Sequence, residues 1–341
     1  MAEGTGHDED QTTPIPEGPA TAPIGSVPPP PSPEPGAQVA SAAGIAASGA
    51  VRAAGAGGRT RVWVSRDSSW FWPLAGLVGY LLVLLMNFLA NWVPFNGQMT
   101  GDVINKRPIP FQPAGWTFFI WIVIYVLLGV YVVYTLTPGG QRSHRVRRIG
   151  GFFLLSCAAN IGWLFLWHWE KFLFALIAIL VLWASLLVIY ILARTGNVDG
   201  RQPSTWQKVA IQAPFSVYLG WASVATLAGF AVWANRSWHT GNPFSDRSWA
   251  VILLLVGVVV AGAFALFARD MLVPLVFVWA YVGIVQEQWN KSTLVVVVAV
   301  IGAIASAALA VAAYSLRFNP KGLSDFTPGR RSKAADTPPT V

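Results

Sequence analysis

Five tryptophans, Trp121, Trp163, Trp183, Trp221 and Trp279, sit inside apolar stretches rather than at their ends, the first four on four consecutive stretches. Near them stand two side chains that hydrogen-bond, Tyr125 and Asn160. Indoles lining a common space would hold a flat apolar guest by stacking, while a tyrosine and an asparagine read its polar edge. The bland alternative is that these rings only pack a bundle or face lipid. Bond-making groups, by contrast, are scarce. The sequence has no H-E-x-x-H, no phosphate-binding loop, no G-x-S-x-G and no acid pair at catalytic spacing. Its histidines, His7, His144, His168 and His239, are too scattered to meet at one metal. The single cysteine, Cys157, excludes an internal disulfide and a thiolate metal cluster. His168, within Trp167-His168-Trp169-Glu170, could offer imidazole to a haem iron. A helix-end histidine at headgroup level is the commoner case. The reading is a non-enzyme without an obligatory cofactor.

Such residues must be positioned by helices in lipid. Of 341 residues 54% are hydrophobic and 11% charged, against about 25% charged in soluble domains. A soluble globule is excluded. About 20 apolar residues at 1.5 Å rise cross about 30 Å of hydrocarbon. That rule predicts eight spans, over 71–93, 113–136, 150–169, 172–193, 209–234, 249–268, 271–286 and 293–316. The seventh is short and carries Pro274. Counted from the outer span ends, Trp163 lies about seven residues down, Trp121 nine, Asn160 ten, Trp183 twelve, Tyr125 thirteen and Trp221 fourteen. They share one slab from the upper bilayer to its midplane. No Asp, Glu, Lys, Arg or His other than His168 falls inside a span, which argues against ion-coupled transport, proton pumping and voltage sensing.

Charge sets the orientation. Seventeen Lys and Arg fall on the side of the termini and the even-numbered loops and six on the other, so both termini are expected in the cytoplasm of a multi-pass plasma-membrane protein. This membrane reading also accounts for the net charge of +8 better than nucleic acid does. Trp70, Trp72, Trp92, Trp169, Trp233, Trp249 and Trp289 fall near span ends, where interfacial anchors belong. Arg142 to Arg148 could bind anionic headgroups, but a topology determinant is the simpler account. Residues 1–62 are Pro-, Ala- and Gly-rich with six acids and are expected to be a disordered tail, as are residues 317–341. Pro28 to Pro31 is better read as solvated tail than as a docking motif.

Span two reads Pro113-Ala-Gly-Trp116-Thr-Phe118-Phe-Ile-Trp121-Ile-Val-Ile-Tyr125-Val-Leu-Leu-Gly129. It resembles the second helix of the tryptophan-rich sensory protein and translocator protein family (TspO/MBR), P-x-x-W-x-F followed by W-x-x-x-Y-x-x-x-G. Asn160-Ile-Gly-Trp163-Leu-Phe-Leu-Trp167 in span three is similar to that family's N-x-x-W, and Trp221-Ala-Ser-Val-Ala225-Thr226-Leu227 in span five to its W-x-x-x-A-T-x-L. The ordered set runs over 71–234. Departures are a Phe118–Trp121 spacing one residue short, Gly229 where an Asn is usual, Pro214 far from Trp221, and a long first loop from Pro94 to Gln112. The resemblance implies an all-α integral membrane protein, a five-helix TspO-like bundle over 71–234 with a three-helix extension over 249–316. It further implies a pocket, closed by the first loop, for a tetrapyrrole such as porphyrin or haem, or for an isoprenoid or sterol-like lipid. The ligand-binding residues it implies are Trp121, Tyr125, Asn160, Trp163, Trp183 and Trp221, with Asp102 in the first loop as a lid residue.

On span six Gly257, Ala261 and Ala265 recur every four residues, as do Gly302, Ser306 and Ala310 on span eight. Such stripes let helices approach closely, within the chain or in a homodimer. The expected function is a binding, sensory or transport protein whose partners are the bilayer and a hydrophobic small molecule. The alternatives are an assembly partner of other membrane proteins and an enzyme modifying a tetrapyrrole or isoprenoid.

Overall fold

Long charge-free runs can satisfy their backbone in lipid only as helices or closed barrels. The computed structural model describes residues 70–195, 204–237 and 244–318, and among these eight long apolar helices form. They are α1 (Phe71–Trp92), α2 (Ile120–Leu136), α3 (His144–His168), α4 (Phe172–Arg194), α5 (Ala213–Ser237), α6 (Asp246–Phe267), α7 (Leu272–Gln288) and α8 (Thr293–Phe318). Seven, counting the turns that lead into α2 and α5, are long and apolar enough to cross a membrane; α7, at 17 residues, is the shorter eighth. The expected tails at 1–62 and beyond Phe318 lie outside the described residues, as do Arg201 and His239.

Two helix starts depart from ordinary α winding. Gly115–Phe119 is a 3₁₀ turn leading into α2, and Lys208–Gln212 is a π turn leading into α5. The π turn has a local cause in Pro214. A proline inside a helix lacks an N–H and crowds the carbonyl four residues back, here that of Ala210, and widening the preceding turn relieves both. Two residues on, Ser216 Oγ donates to the Gln212 carbonyl at 2.9 Å. α3 starts six residues before the expected 150, because Ser143 caps it by accepting from the Val146 N–H.

α1 packs on α2 and α3, α3 on α4, α4 on α5, and α5 on α2, which closes a five-helix ring. The extension, α6 to α8, packs on itself and lays α6 and α7 against α5. α5 therefore touches four helices, and its most apolar stretch is 67% buried against 22–44% in the other long helices. It is the central column. The small-residue stripes serve this packing. Tyr281 of α7 crosses over Gly257 and Gly302 and donates to the Leu254 carbonyl at 2.7 Å, while Ala261, Ala265, Ser306 and Ala310 are buried. Trp70, Trp92, Trp169 and Trp289 are exposed at helix ends, as interfacial anchors should be. Trp72 differs: its ring covers Gly150 so closely that a Cβ there would sit 2.8 Å from Cε3.

Candidate functional site

The 3₁₀ turn Gly115–Phe119 advances about 20° more per residue than an α-helix, which turns the residues that follow it about the helix axis. Trp121 then points at α5. It stacks on Tyr125 at 5.5 Å and stands edge-on to Tyr218 at 5.8 Å and to Trp221 at 6.5 Å. Phe118, 42% exposed, is edge-on to Trp221 at 5.8 Å. A polar chain closes the inner side. The Asn87 amide donates to Asn160 Oδ1 at 2.9 Å, and Asn160 Nδ2 donates to the Tyr218 hydroxyl at 3.1 Å. Tyr80 donates to the Tyr125 carbonyl at 2.9 Å. Four of the expected residues, Trp121, Tyr125, Asn160 and Trp221, thus belong to one cluster. Its centre, Tyr218, was missed; its place three residues before Trp221 on one helix face was the available signal.

The other two are engaged elsewhere. Trp163 stacks on Trp167 at 5.4 Å, and Trp183 donates to Ser223 Oγ at 2.9 Å.

Above the cluster, residues 93–114 fold back as a lid. Asn96 and Gly97 take φ of +54° and +73°, the conformation of a two-residue reverse turn. The turn brings the Asn96 and Gln98 amides onto the carbonyl of His168, at 3.0 and 2.5 Å. The His168 ring, with no exposed surface, meets the Leu164 carbonyl through Nδ1 at 2.7 Å and Thr100 Oγ1 through Nε2 at 3.3 Å. Both nitrogens are engaged, so His168 is the keystone of the lid rather than an open iron ligand. Trp167 donates to the Thr100 carbonyl at 3.1 Å. Arg236 of α5 donates to the Val103 carbonyl at 3.1 Å, and Val103 and Phe111 are buried. On the outer surface Lys106 bonds both Gln98 Oε1 and Glu170 Oε1 at 2.5 Å. That hydrogen bond from Lys106 holds the Glu170 carboxyl below the usual range. Asp102, the expected lid residue, lies in the lid helix Thr100–Asn105 with its carboxylate turned back to the Met99 N–H at 2.8 Å. It caps its own helix.

The extension reaches this region through α7. Trp279 donates to the Thr117 carbonyl at 2.8 Å, Trp116 donates to Gln286 Oε1 at 2.5 Å, and the Gly283 carbonyl accepts from the Ala114 N–H at 3.1 Å. The P-x-x-W segment is therefore held by the added helices. The family model described as "TSPO-like protein" matches residues 73–312, which includes this contact and most of the eight helices. The chain belongs to the TSPO-like family. No curated protein and no solved structure matches it at the level required.

In this TSPO-like protein the rings fill the space they border. A cavity of about 10 Å³ lies between Tyr80, Val83, Leu128, Phe153, Ser156, Cys157 and Tyr218, room for about one water. A second, equally small, lies between Ile109, Phe111 and Trp249 at the edge of the lid. Among the described residues no three His, Cys, Asp or Glu side chains converge as a metal site.

Proposed function

We propose that this TSPO-like protein binds a flat hydrophobic ligand, of the tetrapyrrole or isoprenoid class, within the plasma membrane and couples it to sensing or transport. The observation that supports this is the convergence of Phe118, Trp121, Tyr125, Tyr218 and Trp221 from α2 and α5 beneath a lid fixed at several points. Their faces and edges suit an aromatic or isoprenoid surface. A macrocycle needs a pocket of about 300 Å³ or more, so binding requires α2 to part from α5 while the rings exchange contacts with each other for contacts with the guest. The polar groups of the cluster are amides and phenols bonded to one another and to a backbone carbonyl, an arrangement suited to recognition; we therefore read binding rather than catalysis. The assembly reading loses its main support, because the small-residue stripes are buried inside the chain.

Titration with protoporphyrin tests this. We expect saturable quenching of tryptophan emission with a micromolar Kd, about −8 kcal/mol. Trp121→Ala should weaken binding by about 1 to 2 kcal/mol, whereas Trp249→Ala, outside the cluster, should leave it unchanged. Equal loss in both variants, or linear unsaturable quenching, would remove the site.

A further inference from the structure

Two boundaries of the aromatic cluster are held shut by different forces. The first is the lid. Asn96 and Gln98 bond the His168 carbonyl, Trp167 bonds the Thr100 carbonyl and Arg236 the Val103 carbonyl. Val103, Ile109 and Phe111 of the lid are buried. Raising it would break these bonds together and present three apolar side chains to water, which the hydrophobic effect opposes.

The second boundary is the seam between α2 and α5. At the cluster its contacts are between rings, Phe118 on Trp221 and Trp121 on both Tyr218 and Trp221. Trp221 is 2% exposed, whereas Phe118, edge-on to it, is 42% exposed. Phe118 heads a row with Ile122 and Val126, both exposed, at the four-residue spacing of one helix face. In a membrane that row meets acyl chains. Parting the rings there moves apolar surface into hydrocarbon rather than water, so the hydrophobic effect does not resist it. The backbone just before Phe118 is pinned to α7. Trp279 holds the Thr117 carbonyl and Trp116 holds Gln286. Thr117 is buried so close to Gly283 that a Cβ there would sit 2.6 Å from its Cγ2. The Phe118 ring is the part left to move, and exposed rings change rotamer quickly.

We propose that Phe118 is a lateral gate, through which the ligand reaches Trp121 and Trp221 from the bilayer, between α2 and α5, rather than from water through the lid. This rests on the binding reading above and narrows the ligand to molecules that dissolve in hydrocarbon.

The full-length protein in nanodiscs, labelled with 5-fluorotryptophan, tests the gate without a ligand. The Trp221 fluorine resonance is assigned by its loss in Trp221→Phe. In Phe118→Ala a nitroxide carried on the acyl chains should broaden that resonance more than in the wild type, while a water-soluble gadolinium chelate should not. Stopped-flow quenching by protoporphyrin then reads the route. Phe118→Ala should speed association about threefold or more, whereas loss of a contact alone would speed only dissociation. Phe118→Leu should lie between Phe118→Ala and the wild type. Asn96→Ala with Gln98→Ala loosens the lid, and Val259→Ala changes an exposed residue of α6; both should leave association within about twofold of the wild type. Unchanged association in Phe118→Ala would overturn the proposal, and faster association in the lid variant would make the lid the door. Wild-type broadening in Phe118→Ala would overturn it whatever protoporphyrin does. Absence of saturable quenching in the wild type would instead sink the binding reading, and the broadening would still decide whether Phe118 separates Trp221 from lipid.

Discussion

Asp270 stands one residue before the apolar stretch of the seventh span, a place where an acid ordinarily faces water. Here it is 3% exposed and ties three elements together. Oδ2 joins Tyr190 and Arg194 of α4 to Ser216 of α5, and Oδ1 accepts from the Leu272 N–H at 2.8 Å to start α7. The Arg194 guanidinium also lies 3.4 Å over the Tyr190 ring. Breaking one side of a buried pair leaves the other charge uncompensated, at about 3 to 5 kcal/mol. Asp270→Ala should lower stability in detergent by about 3 kcal/mol, since Arg194 keeps some access to solvent (21% exposed). Arg194→Met combined with Asp270→Leu should recover most of that loss, as apolar replacement of a buried pair often does. A double variant as unstable as the single would mean that packing, not charge, is at stake. Residues of this kind were only partly legible in the sequence. Spacing from a span end gives a side chain's depth but not the direction in which its helix turns it. Six residues were therefore placed in one slab, while only four of them share a cluster in the fold. Trp163 and Trp183 have the same depth and a different azimuth.

Elements were more legible than residues because hydrophobicity over about 20 positions sums many small terms. All eight apolar helices form where expected, although α2 begins seven residues late behind its 3₁₀ turn and α3 six residues early, and the weakness expected of the seventh is its 17-residue length. What sequence spacing did not reveal was local winding. The 3₁₀ turn before α2 and the π turn before Pro214 change the winding of a helix start, and neither alters hydropathy. The lid is the third such element, since its order comes from polar contacts with residues some 70 positions away, at His168 and Glu170. These contacts predict an acid-sensitive edge. The Glu170 carboxyl is held below its ordinary value by Lys106, so its contribution is present above the unfolded glutamate range, near about 4.3, and is lost as pH falls through the lower folded value. Protection of the amides across residues 98–106, taken relative to their intrinsic exchange rates, should therefore fall only at acidic pH, below that range, and only modestly because the pair is exposed. Glu170→Gln should make exchange in this segment independent of that step. Protection lost at the same acidic pH in both proteins would show that the Lys106–Glu170 pair does not hold this edge.

For the whole molecule, five helices closed in a ring explain the resemblance to the TspO pattern, and three more explain how the chain departs from it without losing the ring. α5 is the member that both halves share, and α7 grips the segment before α2, so the eight helices act as a unit whose orientation in the bilayer is a single choice. That choice follows from charge. Lys and Arg are retained on the cytoplasmic side far more strongly than acids are, and 17 of the 23 bases lie on the side of the termini. We therefore expect both termini in the cytoplasm and the lid outside. The chain suits a direct measurement, because Cys157 is its only cysteine and is buried. In a Cys157→Ala background, Gly101→Cys places a thiol on the lid where an added Cβ meets nothing within 4 Å, and Gly139→Cys places one between α2 and α3 where the nearest atom is 3.8 Å away. Neither substitution should disturb the fold. A membrane-impermeant maleimide added to intact cells should label position 101 and spare position 139 until the membrane is opened. The reverse pattern would put the lid in the cytoplasm, and with it the basic start of α3 outside, against the rule that decides orientation in most multi-span proteins.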